Sequence, residues 1–283
     1  MSTPRRIDAH HHLWDLSARP QDWLDGLEPI RRDFGLADLN AVTGPAGIDA
    51  TVLVQVLNDL DETAEFLAVA GKSDLIKGVV GWVDLTAPDV ADQLDRLRSG
   101  PGGDRLVGIR HLVEPEPDPD WLMRPDVLSG LRAVRDAGLV YDVLTRPHQL
   151  PAALVAVRAV PDMVFVLDHL SKPGIAGGVL EPWATHLAAL AAEPNVVAKV
   201  SGLVTEAGPQ WTVDDLRPPV DVALEAFGPD RLMAGSDWPV CLLAASYDEV
   251  FDAASQLVAG LSSAERDQVL GGTADRVYRV GER

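Results

Sequence analysis

Eight short runs rich in valine, leucine and isoleucine recur along the chain, and amphipathic stretches fill the intervals between them. The runs fall at 6–9, 50–57, 76–85, 105–113, 139–144, 163–170, 196–203 and 231–236. Continuous apolar runs such as ATVLVQVL and MVFVLDHL suit strands covered on both faces, as in a parallel sheet. The stretches 61–72, 87–100, 125–138, 181–194 and 220–228 carry helical periodicity. In 87–100, Pro88 stands near the start and Gly100 just past the end, as helix boundaries prefer. After the second run, strand follows strand at roughly 25–35 residues, the length of one strand–helix unit. Eight such units in 283 residues match a (β/α)8 TIM barrel in number and length. A doubly wound sheet is the competitor, but no G-x-G-x-x-G follows a strand, and GPGGD at 100–104 precedes one and reads as a loop. The expectation is one α/β domain over 1–283, a single (β/α)8 barrel closed by the helices of 246–280.

Charge and cysteine content narrow the function. Acidic residues outnumber basic ones 43 to 24, for a net charge of −19, which argues against nucleic acid and anionic membrane surfaces as partners. No apolar run approaches the roughly 18 residues of a membrane span. The start, MSTPRRIDAH, has basic residues but no apolar core of a secretory signal. Cys241 is the single cysteine, so no internal disulfide can form, and a cytoplasmic location is expected.

The stretch RIDAHHHLW, 6–14, places three of the seven histidines side by side. Side chains alternate along a strand, so Asp8, His10 and His12 are expected on one face and His11 on the other. Two imidazoles at i and i+2 can converge on a metal ion or on a developing oxyanion. Polar residues recur at the ends of other runs, where barrel active sites gather. These are Arg110 and His111 in GIRHLV, Asp168 and His169 in DHLSKP, Lys199 in AKVSGL, and Asp237 in GSDWP. By alternation, Arg110 and His111 face opposite sides, as do Asp168 and His169. An ionised residue inside an apolar strand is costly unless paired or functional, so the recurrence points to a site rather than to chance.

DAHHHLW, LDHLSKP, KVSGL and GSDWPV, in that order over residues 6 to about 240, resemble the amidohydrolase superfamily. The similarity is greatest to its amidohydrolase-2 branch, which includes sugar-lactone and pyrone-dicarboxylate lactonases. The resemblance implies that His10, His12, His169 and Asp237 surround the reacting carbonyl. Asp237 then activates the hydrolytic water, while the histidines either hold one divalent ion together with Asp237 or polarise the carbonyl directly. It also implies that Arg110 and Lys199 bind substrate oxygens. Binuclear members of the wider superfamily bridge two metals with a lysine, usually on strand four. This chain has only Lys72, Lys77, Lys172 and Lys199, none on that strand. At most one divalent ion is therefore expected, zinc if any.

Trp14, Trp82 and Trp238 stand at or beyond strand ends, where an indole could pack on a sugar-like ring. Gln55 and Tyr141 are candidate hydrogen-bonding residues of the site. His148 and His186 read as surface residues and Cys241 as a packed thiol. No G-x-S-x-G is present, so a serine-hydrolase elbow is not supported. The expected function is hydrolysis of a small cyclic ester, an aldonolactone, by water that Asp237 activates. The alternatives are a metal-dependent decarboxylase or amide hydrolase on the same fold, and a non-enzymatic binding barrel. The choice of lactone and the oligomeric state are not encoded in readable form, and loops 15–35, 114–124 and 203–217 carry no legible specificity code.

Overall fold

The apolar runs become eight parallel strands in the computed structural model, which describes residues 5–282. Residues 1–4 of the amino-terminal stretch discussed above lie outside the described residues. The strands are β1 (Ile7–His11), β2 (Ala50–Val54), β3 (Ile76–Gly81), β4 (Leu106–Leu112), β5 (Val140–Leu144), β6 (Phe165–Leu167), β7 (Val196–Val200) and β8 (Leu232–Ala234). Each pairs in parallel with the next, in chain order. The ring closes between the first and last strands: His12 N donates to Trp238 O at 2.6 Å and Asp237 N to His10 O at 2.8 Å. The result is a (β/α)8 barrel.

Two apolar layers hold it. Inside the amino-terminal half of the barrel pack small branched side chains, among them Ile7, Val52, Val80, Val166 and Val197, over which Tyr278 and Val280 of the carboxyl-terminal segment close. Outside, residues such as Leu53, Tyr141, Phe165 and Leu167 meet the surrounding helices. Each fully buried Val, Leu or Ile contributes roughly 1.5–3 kcal/mol, so the plug fixes the ring on which the site stands.

Helix starts follow their signals. Asp59 caps Leu60–Ala70 by accepting from Glu62 N, and Ser246 with Glu249 forms a capping box at Tyr247–Leu257. The helix expected at 220–228 begins earlier, at Val213, because Thr212 and Asp215 form a capping box ahead of Pro218 and Pro219. Among the described residues no helix is long and apolar enough to cross a membrane.

Two irregularities matter for the site. In β1 the register slips between Asp8 and His11, since Asp8 pairs with Thr51 but His11 with Leu53. This is a bulge, which re-aims the side chains beyond it. β6 stops at Leu167, short of the expected 170, because the next residues leave the strand. His169, Leu170, Ser171 and Lys172 all have positive φ, between 50° and 58°.

Candidate active site

The bulge and the left-handed segment together bring four side chains to one point at the carboxyl ends of β1, β6 and β8. His10 and His12 come from β1 and its continuation, their Nε2 atoms 3.1 Å apart. Asp237 follows β8 and His169 follows β6. Asp237 Oδ1 lies 3.4 Å from His12 Nε2, 3.7 Å from His10 Nε2 and 3.8 Å from His169 Nε2. The backbones of both Asp237 and His169 are left-handed, with φ of 57° and 55°. Such a conformation costs a non-glycine residue on the order of 1–3 kcal/mol and persists where the surroundings enforce it.

The far nitrogen of each imidazole is held from behind. His12 Nδ1 is 2.8 Å from Val54 O, His169 Nδ1 is 2.8 Å from Ser201 Oγ, and His10 Nδ1 is 3.3 Å from Asp168 Oδ1. A carbonyl can only accept, so His12 carries its proton on Nδ1 and presents a lone pair at Nε2. With outer partners at Nδ1, all three rings turn Nε2 toward the same carboxylate. Gly202 makes room for this. A Cβ there would lie 2.6 Å from His169 Nδ1 and 3.1 Å from Asp237 Oδ2.

Electrostatics follow from burial. None of the four side chains belongs to a residue more than 5% exposed. Burial lowers the pKa of His10 and His169, so both are neutral at pH 7. Burial would raise Asp237, but the imidazoles of His169, His12 and His10 gathered around it outweigh burial and hold the carboxyl below its ordinary range. Beneath the imidazoles lies a charged layer. Lys199 Nζ is 2.5 Å from Asp142 Oδ2 and 3.0 Å from Asp168 Oδ1, and 3.1 Å from His10 Nδ1. Arg110 Nη1 donates to Asp168 Oδ2 at 2.9 Å, and Nη2 to Gln55 Oε1 at 3.0 Å. Asp168 is ionised because Lys199, His10 and Arg110 overcome its burial. Burial raises Asp142 to about 6 despite Lys199, and Tyr278 donates to it at 2.8 Å.

Neutral imidazoles and an ionised carboxylate are the donor set a divalent ion takes. His10, His12 and Asp237 form one group close enough to share an ion, and His10, Asp168 and His169 a second. Tetrahedral zinc with bonds of about 2.0–2.1 Å separates its ligands by about 3.3 Å, and the first group's edges of 3.1, 3.4 and 3.7 Å bracket that value. Hydrogen bonds from the far ring nitrogens to a carboxylate or carbonyl are the usual support of metal-binding histidines. The residues fit one ion.

The sequence expectations meet the structure unevenly. His11 turns to the opposite face from His10, as alternation expects, toward Thr51 Oγ1 at 2.9 Å, and is fully buried there. Asp8 does not join His10 and His12. It accepts from Ser236 N, Ser236 Oγ and Tyr247 OH at 2.8, 2.6 and 2.9 Å, since the bulge breaks the alternation between 8 and 10. Arg110 enters the barrel and His111 does not; His111 stacks on Trp121 and accepts from Trp82 Nε1 at 3.1 Å. Asp168, expected opposite His169, comes in beside it, because His169 is left-handed. Tyr141 is corrected outright: its ring packs edge-on against Phe165 in the outer layer, and its neighbour Asp142 faces the interior. Trp14 is buried with Nε1 donating to Arg32 O, and Trp238 is buried against Phe34. Asp142, Ser201 and Gly202 were not singled out by the sequence. The signal for Asp142 was present, as a carboxylate in an apolar strand of a barrel that also buries Lys199.

An eight-stranded parallel barrel with three imidazoles and a carboxylate at the carboxyl ends of its strands is built to activate water against a carbonyl. The known proteins it resembles agree. A family model described as Amidohydrolase matches residues 7–280, and the chain belongs to that family. An L-fucono-1,5-lactonase of Burkholderia multivorans is 39% identical over 292 residues, covering 98% of this chain and 97% of that protein. An L-fucono-1,5-lactonase of Burkholderia ambifaria is 38% identical over 245 residues, covering 86% and 83%. A crystal structure of an amidohydrolase from Burkholderia multivorans with bound zinc superposes with a TM-score of 0.91 at 38% identity, over 97% of this chain and 99% of that one.

Proposed function

We propose that this chain is a lactonase that opens a sugar-derived aldonolactone, L-fucono-1,5-lactone or a close stereochemical relative, to the aldonic acid. The observation that carries the reading is the convergence of three imidazole Nε2 atoms on one oxygen of Asp237, in a chain 38–39% identical to two proteins named for that activity. Asp237 accepts a proton from water as the water oxygen adds to the ring carbonyl carbon. His10, His12 and His169 lie around the negative charge that grows on the carbonyl oxygen, a contribution of the kind worth about 100-fold or more in rate. When the intermediate collapses, the bond from the carbonyl carbon to the ring oxygen breaks and that oxygen takes up the proton Asp237 had accepted, which returns Asp237 to its carboxylate form. Asp168, clamped by Lys199 and Arg110, keeps the His10 ring oriented. A zinc ion held by His10, His12 and Asp237 would supply Lewis acidity to the same carbonyl. Arg110, Lys199 and Gln55 spend donors and acceptors on one another and on the two buried aspartates, so we assign them to orienting the site as well as to any contact with substrate hydroxyls. We assign Trp82, which follows β3 and donates from Nε1 to His111, to lining the substrate's ring. The reading treats 1–283 as one catalytic domain in a reducing cytoplasm, which the buried free thiol of Cys241 suits.

A panel of aldonolactones and pyrone lactones, followed with a pH indicator, tests it. The expected result is saturable acid release, fastest with L-fucono-1,5-lactone or a stereoisomer. No turnover of any lactone, together with turnover of an aromatic acid or an amide, would replace this reading with the decarboxylase or amide-hydrolase alternative.

A further inference from the structure

At the opposite end of the barrel, where β4, β5 and β6 begin, a cleft of about 510 Å³ opens between the strand starts and the carboxyl-terminal helix Thr273–Tyr278. Its charged lining is Arg98, Arg135, Arg276, Arg279 and one acid, Asp162. We propose that this cleft binds a small anion bearing phosphate or carboxylate groups, at a site separate from the imidazole cluster and independent of the lactonase reading.

Composition makes the lining unexpected, since carboxylates outnumber basic side chains 43 to 24 along the chain. Four arginines against one aspartate reverse that ratio locally. Among the described residues, only Arg135 of the four has a carboxylate partner, Asp136 at 2.7 Å, and that aspartate is two-thirds exposed, where an ion pair is worth little. Arg98 donates to Ala137 O and Arg276 to Asp230 O at 2.5 Å. Each such bond caps a backbone carbonyl but engages a single donor of a group that carries five. Among the described residues the rest of each fork stays free. Like charges gathered in a concave, low-dielectric surface focus a positive potential. Planar guanidinium forks match phosphate and carboxylate oxygens two at a time. The volume lies in the range that small-molecule sites occupy. The amino-terminal end of such a barrel ordinarily serves stability, and stability alone gives no reason to leave three guanidiniums without a counter-charge.

Calorimetric titration of the full chain at fixed ionic strength, with inorganic phosphate and with succinate, tests the site. The expected result is saturable binding of at least one probe with Kd below about 1 mM, weakened by higher salt. Arg276→Gln combined with Arg279→Gln should weaken it at least about tenfold, with lactone turnover unchanged, while His12→Ala leaves it intact. If that pair fails to fold, Arg98→Gln combined with Arg135→Gln replaces it. Binding of phosphate alone identifies a phosphate ligand, of succinate alone a carboxylate, and of both a site that reads charge only; each supports the proposal. It is overturned if neither probe binds, if the folded double variant keeps wild-type affinity, or if His12→Ala abolishes binding, which would place the anion at the imidazoles.

Discussion

The last two histidines of HHH show how far adjacent residues of one type can differ in role. His12 aims Nε2 at Asp237, whereas His11 is sealed against Thr51 and burial lowers its pKa to about 3. His12→Ala should therefore lower kcat at least about 100-fold, as loss of an oxyanion-stabilising group does. His11→Ala should leave kcat close to wild type but lower Tm, because the orphaned Thr51 hydroxyl alone costs about 1–3 kcal/mol. Steady-state rates and melting curves of both variants separate the roles, and equal losses of kcat would refute the face assignment. Gly202 offers a second test at this scale. Its φ is +63°, and a Cβ would sit 2.6 Å from His169 Nδ1 and 3.1 Å from Asp237 Oδ2, inside contact distance of two side chains of the site. Gly202→Ala should push the ring off Ser201 and cut kcat about 100-fold, the scale of a misplaced catalytic group. Gly138 has a similar φ of +67° with nothing within 4 Å of its Cβ position. Gly138→Ala should cost about 1–2 kcal/mol of stability through the same backbone penalty and leave kcat unchanged.

Among the elements, the strand and helix pattern was legible because both periods are local: seven of the eight apolar runs contain their strands, and the first, 6–9, falls two residues short of the end of β1 at His11. What the sequence hid was backbone irregularity. Counting alternate faces from Asp8 to His12 assumes an unbroken strand, and the bulge in β1 spoils the count for Asp8 alone. The opposite placement expected for Asp168 and His169 failed at the left-handed run 169–172, which no residue type there advertises, since glycine is absent from it. Tyr141 and Asp142 were swapped in role because a tyrosine in a strand reads as a binding residue more readily than a buried carboxylate does. The β2 end shows an element held by a single side chain. Glu62, in the helix Leu60–Ala70, accepts from Val56 N at 2.8 Å and Leu57 N at 2.9 Å, fixing the turn that carries Gln55 to Arg110. Burial raises Glu62 to about 7, so its proton is bound more tightly in the folded state than in the unfolded one. Its contribution to stability is complete below about pH 4.5 and is lost as pH rises through about 7. Glu62→Gln removes that titration, so the Tm of the wild type should fall relative to the variant between pH 5 and pH 8. Parallel Tm profiles of the two proteins across that interval would show that Glu62 does not titrate there.

For the whole molecule, the charge enclosed by the barrel limits what the site can hold. With the imidazoles neutral, three ionised carboxylates (Asp142, Asp168 and Asp237) face two cations, Arg110 and Lys199, all within residues at most 5% exposed. One divalent ion turns that single negative excess into a single positive one, which an incoming anionic oxygen then balances. A second divalent ion would leave three positive charges in a water-poor interior, and buried charge of that size is not tolerated without partners. Neither group of potential ligands offers a separate set of donors for it, because His10 belongs to both. Lys199, the lysine inside the barrel, is committed to Asp142 and Asp168 and stands on β7, so it cannot act as a bridging ligand. Elemental analysis of the purified protein should therefore find at most one zinc per chain, and zinc added to chelator-treated protein should bind with a stoichiometry no greater than one. A lactone is an activated ester, so the imidazoles and Asp237 should sustain measurable hydrolysis after chelation, at a reduced rate. Asp237→Asn should abolish turnover in both the chelated and the zinc-loaded protein, because each needs the carboxylate as proton acceptor, while its Tm stays within a few degrees of wild type. Two metals per chain, or an Asp237→Asn enzyme that turns over at the wild-type rate, would contradict the single-ion, single-base site.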